Sequence, residues 1–356
     1  MLTIYSDPHL GTVRKAHTTP ESSKRLNQRL FEQVRDIVAT PEGETLLCLG
    51  DLFDKTNNDE ATFLQGYQIA AKTLWTLAGN HDVANREGVI STLEAVHNVL
   101  SEERSGCSII MPPAVGGSDH TSVSMGDYRI VMVPHHSSQE AFVRTLNKVL
   151  LEDYPESHAY LMLHCNVEFD LADNNDAVLN LTAEMSDKLL TKFSRIFVGH
   201  EHNSYTKYDD RLVVVGNTHP TSFSDISDKY VWSLDGSNNT LQKTCVWSKA
   251  HSYLELPYNT DLSSIEHPER YQFIDVVGRE STASGVDVAK YINTARKTFH
   301  NAFMIRQNVE LVDVLARVDS DAAKPALVDL PGRISSDLEG TDLLDLWNEL
   351  HEEVQK

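Results

Sequence analysis

Short apolar runs alternate with helical patterns along the first 250 residues of the chain. Between the first two runs, residues 24–39 place Leu26, Leu30 and Val34 on one face of a helix. The runs have the length of β-strands and are bounded by Gly, Pro, Asn, Asp or His. They cover residues 2–5, 45–49, 73–78, 129–133, 159–163, 195–198 and 212–215. Continuous apolar strands separated by helices predict an α/β fold with strands buried on both faces.

The pattern changes after His251, where a polar stretch with two prolines (257–270) predicts a linker. A strand (271–277), a helix (284–300) and a second strand (302–309) follow, and Thr341 is placed to N-cap a last helix over residues 342–354. We therefore predict three parts. They are a large domain over residues 1–250, a small α+β domain over residues 263–318, and an acidic segment over residues 319–356 that ends in a helix.

The composition is that of a globular protein, with 40% hydrophobic and 23% charged residues. These values exclude a disordered or fibrous chain. No run of about 18 apolar residues occurs, so we expect no membrane-spanning helix. We also expect no signal peptide, because the first residues lack a basic and an apolar segment. The four cysteines form no CxxC motif, which favours a reduced, cytoplasmic environment.

The net charge of −21 argues against passive nucleic-acid binding by a basic surface. The acidic residues are unevenly distributed. Between residues 319 and 356 there are ten acidic and three basic residues, which gives this segment a charge of −7. Part of the excess negative charge therefore belongs to the C-terminal segment and not to the large domain.

Five of the predicted strands end at residues that commonly bind metal ions. A lone Asp-x-His is more often a turn and a lone His-x-His a surface pair, and GNHD alone could be a polar loop. Because the carboxyl ends of strands in a buried sheet meet at one edge, we expect the five clusters to lie together. In chain order they are Asp7 and His9; Asp51 and Asp54; Asn80, His81 and Asp82; His164; and His200 and His202.

The residue types at these strand ends suit a particular class of ion. Imidazole, carboxylate and one amide carbonyl favour borderline divalent ions such as Mn²⁺, Fe²⁺ or Zn²⁺, and no thiolate is offered. There are enough ligands for two ions, with Asp51 able to bridge them. Two ions about 3.5–4 Å apart can clamp the phosphoryl oxygens of an in-line displacement.

The motifs DxH, GDxxD, GNHD, an isolated His and GHxH, in that order, resemble the calcineurin-like metallophosphoesterases. HLG after the first motif, GDLFD, and VVVGNTHPTSFSDISDKY after GHEH resemble the nuclease branch of that family. This branch includes bacterial SbcD, its eukaryotic and archaeal counterparts in double-strand-break repair, and phage recombination endonuclease subunits. The resemblance covers about residues 1–250. It implies a two-layered β-sheet sandwich flanked by helices, followed by a small α+β domain and a C-terminal helix.

The resemblance also implies roles for individual residues. One ion would be held by Asp7, His9, Asp51 and His202, and the other by Asp51, Asn80, His164 and His200. Mn²⁺ is the expected metal, with Mg²⁺, Fe²⁺ and Zn²⁺ as alternatives. His81 matches the catalytic histidine that assists the leaving 3′ oxygen. Asp54 matches the acid that pairs with this histidine, and Asp82 is the competing candidate for that pairing.

Other side chains are candidates for substrate contact. Arg14, Lys15 and His17 lie in the loop after His9, where they would either contact phosphate or belong to a solvated loop. His135 and His136 follow a predicted strand and either line the site or stabilise the fold, with the structural role favoured.

The function implied by the resemblance is a Mn²⁺-dependent DNA exo- or endonuclease. It would serve an ATPase-coupled complex of DNA recombination, repair or replication. No GxxxxGK[ST] motif occurs, so a coiled-coil, SMC-like ATPase of the SbcC type would be the partner. A homodimer is compatible with this function, no membrane is involved, and the location would be the cytoplasm, or the host cytoplasm for a phage protein. The alternatives are a phosphatase or small-molecule phosphodiesterase, and a non-catalytic interaction subunit.

The predicted C-terminal helix carries one apolar stripe. Its residues Leu343, Leu346, Trp347, Leu350 and Val354 are spaced i, i+3, i+4, i+7 and i+11. The stripe would either pack on the small domain or dock on another chain as a helix in a groove. The resemblance favours docking on the ATPase.

Overall fold

Two β-sheets packed face to face form the centre of the molecule. The computed structural model describes residues 1–39, 44–84, 89–103, 106–169, 179–280 and 284–311. Each of the two sheets has six strands, and helices cover their outer faces. The predicted α/β class and the two-sheet sandwich implied by the resemblance are confirmed.

The strands of the described ranges agree with the sequence pattern where the apolar runs are strong. In chain order they are β1 (Leu2–Tyr5), β2 (Thr45–Cys48), β3 (Trp75–Leu77), β4 (Ser108–Ile110), β5 (Thr121–Met125), β6 (Tyr128–Met132), β7 (His158–His164), β8 (Asn166–Val167), β9 (Asn180–Leu181), β10 (Arg195–Gly199), β11 (Tyr205–Lys207), β12 (Leu212–Val214), β13 (Lys229–Asp235), β14 (Thr240–Trp247), β15 (Tyr253–Pro257), β16 (Phe273–Glu280) and β17 (Met304–Leu311).

The helices of the described ranges are α1 (Pro20–Val38), α2 (Glu60–Ala70), α3 (Thr92–Glu103), α4 (Gln139–Leu151), α5 (Ala183–Leu190), α6 (Lys249–Ser252) and α7 (Gly285–Thr298). Helix α1 begins at Pro20, four residues before the start predicted from its apolar face. The earlier start arises because Thr19 and Ser22 form a capping box and Pro20 suits the first helical position. Among these helices, none has the length and apolar character that a bilayer crossing requires.

In each of the two sheets, the strands whose carboxyl ends carry the candidate ligands run parallel to one another. The first sheet has the order β14-β13-β1-β2-β3-β4, with β1 to β4 parallel, and the second has the order β11-β12-β10-β7-β6-β5, with β12, β10, β7 and β6 parallel. Side chains such as Ile4, Leu47, Met162 and Phe197 fill the space between the sheets. Helices α1, α2 and α3 pack on the outside of the first sheet, and α4 and α5 on the second.

A smaller unit follows the sandwich. Strands β15, β16 and β17 form a parallel sheet that packs on α7 around Leu256, Ile274 and Val288. The sequence pattern missed β15 because only one of its five residues is buried, and this strand precedes the predicted boundary at 263. Phe273 and Phe303 join the unit to α1 and β14. The predicted helix over residues 342–354 lies outside the described residues.

Candidate metal centre

The structure brings all seven predicted metal ligands together at the carboxyl ends of β1, β2, β3, β7 and β10. Three groups of described side chains have their ligand atoms within 4.8 Å of one another. These groups are Asp7, His9 and His202; His9, Asp51 and His81; and Asp51, His164 and His200. The groups share members, so they form one continuous centre.

Asp51 lies between the two sets of ligands predicted for the two ions. Its Oδ2 atom is 3.9 Å from His9 Nε2 and 3.4 Å from His164 Nε2. Its Oδ1 atom accepts a hydrogen bond of 2.9 Å from the backbone N–H of His81. One oxygen is therefore anchored, while the other faces both sets, as a bridging ligand must.

Asn80 links the imidazoles of the second set. Its Oδ1 atom is 3.0 Å from His164 Nε2 and 2.9 Å from His200 Nδ1. His164 Nδ1 donates to the Leu49 carbonyl at 2.7 Å, so in the neutral ring Nε2 keeps its lone pair. An amide oxygen and an imidazole lone pair thus converge on one point.

In the first set, two imidazoles face each other. His9 Nε2 and His202 Nε2 are 2.9 Å apart, and Asp225 Oδ2 lies 3.3 Å from the other ring nitrogen of His202. A carboxylate at that place favours the proton on His202 Nδ1 and a lone pair on Nε2. His9 Nδ1 is buried and has no hydrogen-bond partner in the described chain. The two facing imidazole nitrogens and the Asp7 carboxylate, 4.0 Å from His9 Nε2, are ligand types that fit a borderline divalent cation.

The protonation states of three ligands are those that metal binding requires. Burial lowers the pKa of His9 to about 3 and that of His200 to about 4, so both imidazoles are neutral at physiological pH. Burial alone would raise the pKa of Asp51, but the imidazoles around it, above all His164, hold this pKa below its usual range. Burial alone would lower the pKa of His164, but the Asp51 charge raises it to about 9, so a cation bound there displaces a proton. Neutral imidazole and ionised carboxylate are the ligand forms of these residues.

The backbone at the strand ends is strained. Asp7, His9, Asp51 and His200 have φ angles of 52°, 48°, 48° and 87°, in the left-handed region that side chains other than glycine rarely adopt. Such conformations cost about 1–3 kcal/mol each and cluster at functional sites. Their occurrence at four of the seven predicted ligands supports a functional role for this edge.

Close backbone packing also fixes Asp51. A Cβ atom on Gly79 would lie 2.2 Å from Asp51 Oδ1 and 2.4 Å from its backbone nitrogen. We expect Gly79→Ala to displace Asp51 and to lower the bound metal, measured by inductively coupled plasma mass spectrometry after dialysis. Gly285→Ala is the control, because a Cβ there meets nothing within 4 Å. Equal metal content in both variants would contradict this account.

His81 is held by the backbone of Asp54 and not by its side chain. His81 Nδ1 is 2.8 Å from the Asp54 main-chain oxygen. The Asp54 carboxylate lies 3.5 Å from both His9 Nδ1 and Arg14. The expected carboxylate pairing with His81 is thus replaced by a carbonyl contact. The competing candidate, Asp82, accepts hydrogen bonds from the backbone N–H groups of residues 52, 53 and 79, which joins the second and third motifs.

The predicted substrate loop divides into two parts. Arg14 donates to Thr221 and lies 3.5 Å from the Asp54 carboxylate, and with the exposed Lys15 it lines a cleft of about 500 Å³. His17 lies elsewhere, because its carbonyl accepts from Ile305 of β17 and its ring packs on Phe223. Substrate contact by Arg14 and Lys15 stays a prediction, whereas His17 contacts the small sheet.

His135 and His136 also have different surroundings. The His135 ring packs edge-on against His164 with centroids 6.1 Å apart, and its Nδ1 atom is buried without a hydrogen-bond partner in the described part of the chain. His136 is almost fully buried, and its Nε2 atom is 3.1 Å from the Asp119 carbonyl. The favoured structural role fits His136, while His135 lines the metal centre.

Two residues beside His202 were not singled out from the sequence. They are Asp225, whose carboxylate faces the His202 ring, and Lys229, whose Nζ atom donates to the His202 carbonyl at 2.9 Å. Both belong to the segment 213–230 that carries part of the resemblance. Their charges are evident from the sequence, but nothing in the sequence indicates that they lie beside His202, because this proximity depends on the tertiary fold.

The comparison with protein-family models agrees with this architecture. The family model described as calcineurin-like phosphoesterase matches residues 2–204. A comparison with curated proteins finds no match. Similar solved structures include a 5′-nucleotidase precursor from Thermus thermophilus, with 12% identity over 68% of this chain and 53% of that chain and a TM-score of 0.37. This chain thus spans about half the length of that protein.

Two further structures show similarity at the same level. Vps29 from Chaetomium thermophilum has 14% identity over 68% of this chain and 93% of that chain, with a TM-score of 0.28. The NAD nucleotidase NadN from Haemophilus influenzae has 10% identity over 92% of this chain and 59% of that chain, with a TM-score of 0.32.

Proposed function

Since the chain belongs to the calcineurin-like phosphoesterase family, we propose that it is a Mn²⁺-dependent nuclease that hydrolyses the phosphodiester bonds of DNA. The observation that carries this proposal is the position of Asp51 Oδ2, which faces His9 and His164 at 3.9 and 3.4 Å. In the proposed centre, Asp7, His9, Asp51 and His202 would hold one ion, and Asp51, Asn80, His164 and His200 would hold the other. Two such ions would supply Lewis acidity to the phosphoryl oxygens.

We assign His81 the role of proton donor to the leaving group. Its Nδ1–H group donates to the Asp54 carbonyl, which fixes the ring and leaves Nε2 for the substrate. In the proposed reaction, a water oxygen forms a bond to phosphorus and the bond from phosphorus to the 3′ oxygen breaks. The imidazolium form of His81 delivers its Nε2 proton to that oxygen, while its Nδ1–H group stays bonded to the Asp54 carbonyl. The proton that the attacking water loses passes to solvent, from which Nε2 is protonated again.

The nuclease-branch motifs support DNA as the substrate, and so does the charge of the cleft that Arg14 lines. Arg14 links this cleft to the centre, because it lies 3.5 Å from the Asp54 carboxylate, which is 3.5 Å from His9 Nδ1. Arg14, Lys15 and Lys24 line this cleft, and none of its described lining residues is acidic. In a chain with a net charge of −21, a cleft with three cations next to a metal centre favours an anionic ligand. A DNA backbone offers a row of phosphates to such a cleft.

One experiment separates this proposal from its alternatives. The purified protein is incubated with Mn²⁺ and, in parallel, with linear duplex DNA, single-stranded DNA and an aryl phosphodiester. We expect cleavage of at least one DNA substrate that EDTA abolishes. Hydrolysis of the aryl ester with no cleavage of either DNA would instead assign a phosphatase or small-molecule phosphodiesterase. Inactivity on all three substrates, with full metal loading, would assign a non-catalytic subunit.

We further propose that the protein works with a coiled-coil ATPase that binds the apolar stripe of residues 342–354. This proposal is supported by the sequence, which has no nucleotide-binding P-loop but has a stripe of four aliphatic residues and one tryptophan opposite an acidic face. The corresponding location is the cytoplasm that contains the DNA.

Truncation after Gly340 tests the partner. We expect Mn²⁺-dependent cleavage to persist, whereas ATP-stimulated cleavage and co-purification with the ATPase are lost. Trp347→Ala should reproduce the loss, because the tryptophan is the largest apolar side chain of the stripe. Asn348→Ala, on the polar face, is the matched control. Normal ATPase binding by the truncated chain, or its unfolding, would contradict a docking helix.

A further inference from the structure

Two buried charged side chains hold His202 from opposite ends. Asp225 Oδ2 lies 3.3 Å from the ring nitrogen Nδ1, and Lys229 Nζ donates to the main-chain carbonyl at 2.9 Å. Asp225 is 2% exposed and Lys229 is fully buried. Both ring orientation and backbone position of this histidine are therefore controlled by one short segment that leads into β13.

The Asp225 carboxylate is itself firmly anchored. Oδ2 accepts hydrogen bonds from Asn217 Nδ2 at 2.7 Å and from Thr221 N at 3.0 Å, and Oδ1 accepts one from Ser222 N at 2.8 Å. A buried carboxylate needs such donors to offset the loss of hydration. Because both oxygens are fixed, the group cannot rotate away from the imidazole, and it presents a constant acceptor to His202 Nδ1.

Lys229 is an unusual choice for a buried position. Burying an ammonium group costs several kcal/mol, and an apolar side chain of similar size is often at least as stabilising. Its Nζ atom donates to the His202 carbonyl and to Ser227 Oγ at 3.2 Å. The backbone N–H of Asn217 donates to the same carbonyl at 3.2 Å. These two donors fix the chain directly behind the ligand ring.

The other imidazoles of the centre are oriented differently. His164 Nδ1 donates to a neutral main-chain carbonyl, and His9 Nδ1 lies 3.5 Å from the Asp54 carboxylate but makes no hydrogen bond in the described ranges. An anionic partner orients a ligand histidine more firmly and raises its basicity. Loss of this support should therefore weaken the set that contains His202 and leave the set around His164 intact.

From this geometry we infer that Asp225 and Lys229 are positioning residues that fix His202 and set the metal affinity of the position formed with Asp7 and His9. The inference rests on the proposed metal centre, but it is independent of the substrate. Asp225 keeps the Nε2 lone pair directed at the cation, and Lys229 holds the backbone that carries the ring. Neither residue touches the ion or the reacting atoms in this arrangement.

Metal titration tests the inference. Mn²⁺ binding to the wild-type chain, Asp225→Asn and Lys229→Met is measured by isothermal titration calorimetry and by paramagnetic resonance of free Mn²⁺. We expect both variants to bind one ion about 10–100-fold more weakly, with the second ion unaffected. Ser222→Ala is the matched control. It removes a hydroxyl that contacts Asp225 Oδ1 and leaves the Oδ2 contact with His202, so we expect wild-type affinity.

A second measurement separates positioning from general stability. In ¹⁵N-histidine NMR of the metal-free chain, His202 should carry its proton on Nδ1, and Asp225→Asn should lose this preference while the His164 signal stays unchanged. Wild-type affinity in both variants would overturn the inference, and so would equal weakening of both ions together with a lower melting temperature. A wild-type chain that binds no Mn²⁺ would instead refute the proposed function. If Asp225→Asn does not fold, the Mn²⁺ affinity of Lys229→Met alone tests the inference.

Discussion

Replacing Asp51 with alanine is expected to abolish phosphodiester hydrolysis and to reduce the number of bound Mn²⁺ ions. Asp51 is 1% exposed, and its Oδ2 atom is the oxygen that faces both His9 and His164. Without it, each proposed set of ligands loses its common carboxylate, and two bound ions would lose the ligand that they would share. A two-ion clamp on a phosphoryl group depends on this separation.

Activity on linear DNA and metal content by mass spectrometry check the Asp51→Ala result, with circular dichroism to verify the fold. Asp187→Ala is a suitable control because Asp187 is an exposed residue of α5. Full Mn²⁺-dependent cleavage by Asp51→Ala would mean that the centre described above is not the site of hydrolysis.

For His81→Ala we expect normal metal content and DNA binding, but a turnover about 10²–10⁴-fold lower, the usual contribution of a proton-transferring side chain. The structure makes this test informative, because the His81 ring belongs to a group with His9 and Asp51 that could itself hold an ion. Single-turnover kinetics with saturating DNA, combined with metal analysis, distinguishes the two roles. Loss of an ion in His81→Ala would show that His81 is a ligand.

Asp54→Asn provides the matched comparison for His81. The hydrogen bond to His81 comes from the main-chain oxygen of residue 54, which this substitution keeps. The change removes only the negative charge near His9 Nδ1 and Arg14. We therefore expect a smaller loss of turnover than in His81→Ala. A loss as large as that of His81→Ala would assign the carboxylate a direct role.

Local sequence is sufficient for much of the fold because buried parallel strands are continuous apolar runs. Strands β1, β2, β7 and β10 are almost fully buried and were predicted within one residue at each end. Strand β5 was missed because its residues are half-buried and alternate without a clear apolar pattern. The small, partly exposed β15 was missed for the same reason.

The sequence by itself determined which strand ends carry ligand-type residues. Parallel strands of one sheet place their ends at one edge, so the local pattern was sufficient to group Asp7, Asp51 and Asn80. His164 and His200 belong to the second sheet, and they join this group only because the two sheets pack face to face. Only the tertiary structure decided where individual side chains point within that group. The contact between His81 and the Asp54 carbonyl depends on how two loops cross, and the support of His202 by Asp225 depends on a turn 23 residues further along the chain. Such contacts are set by packing between distant segments, for which a local pattern carries no signal.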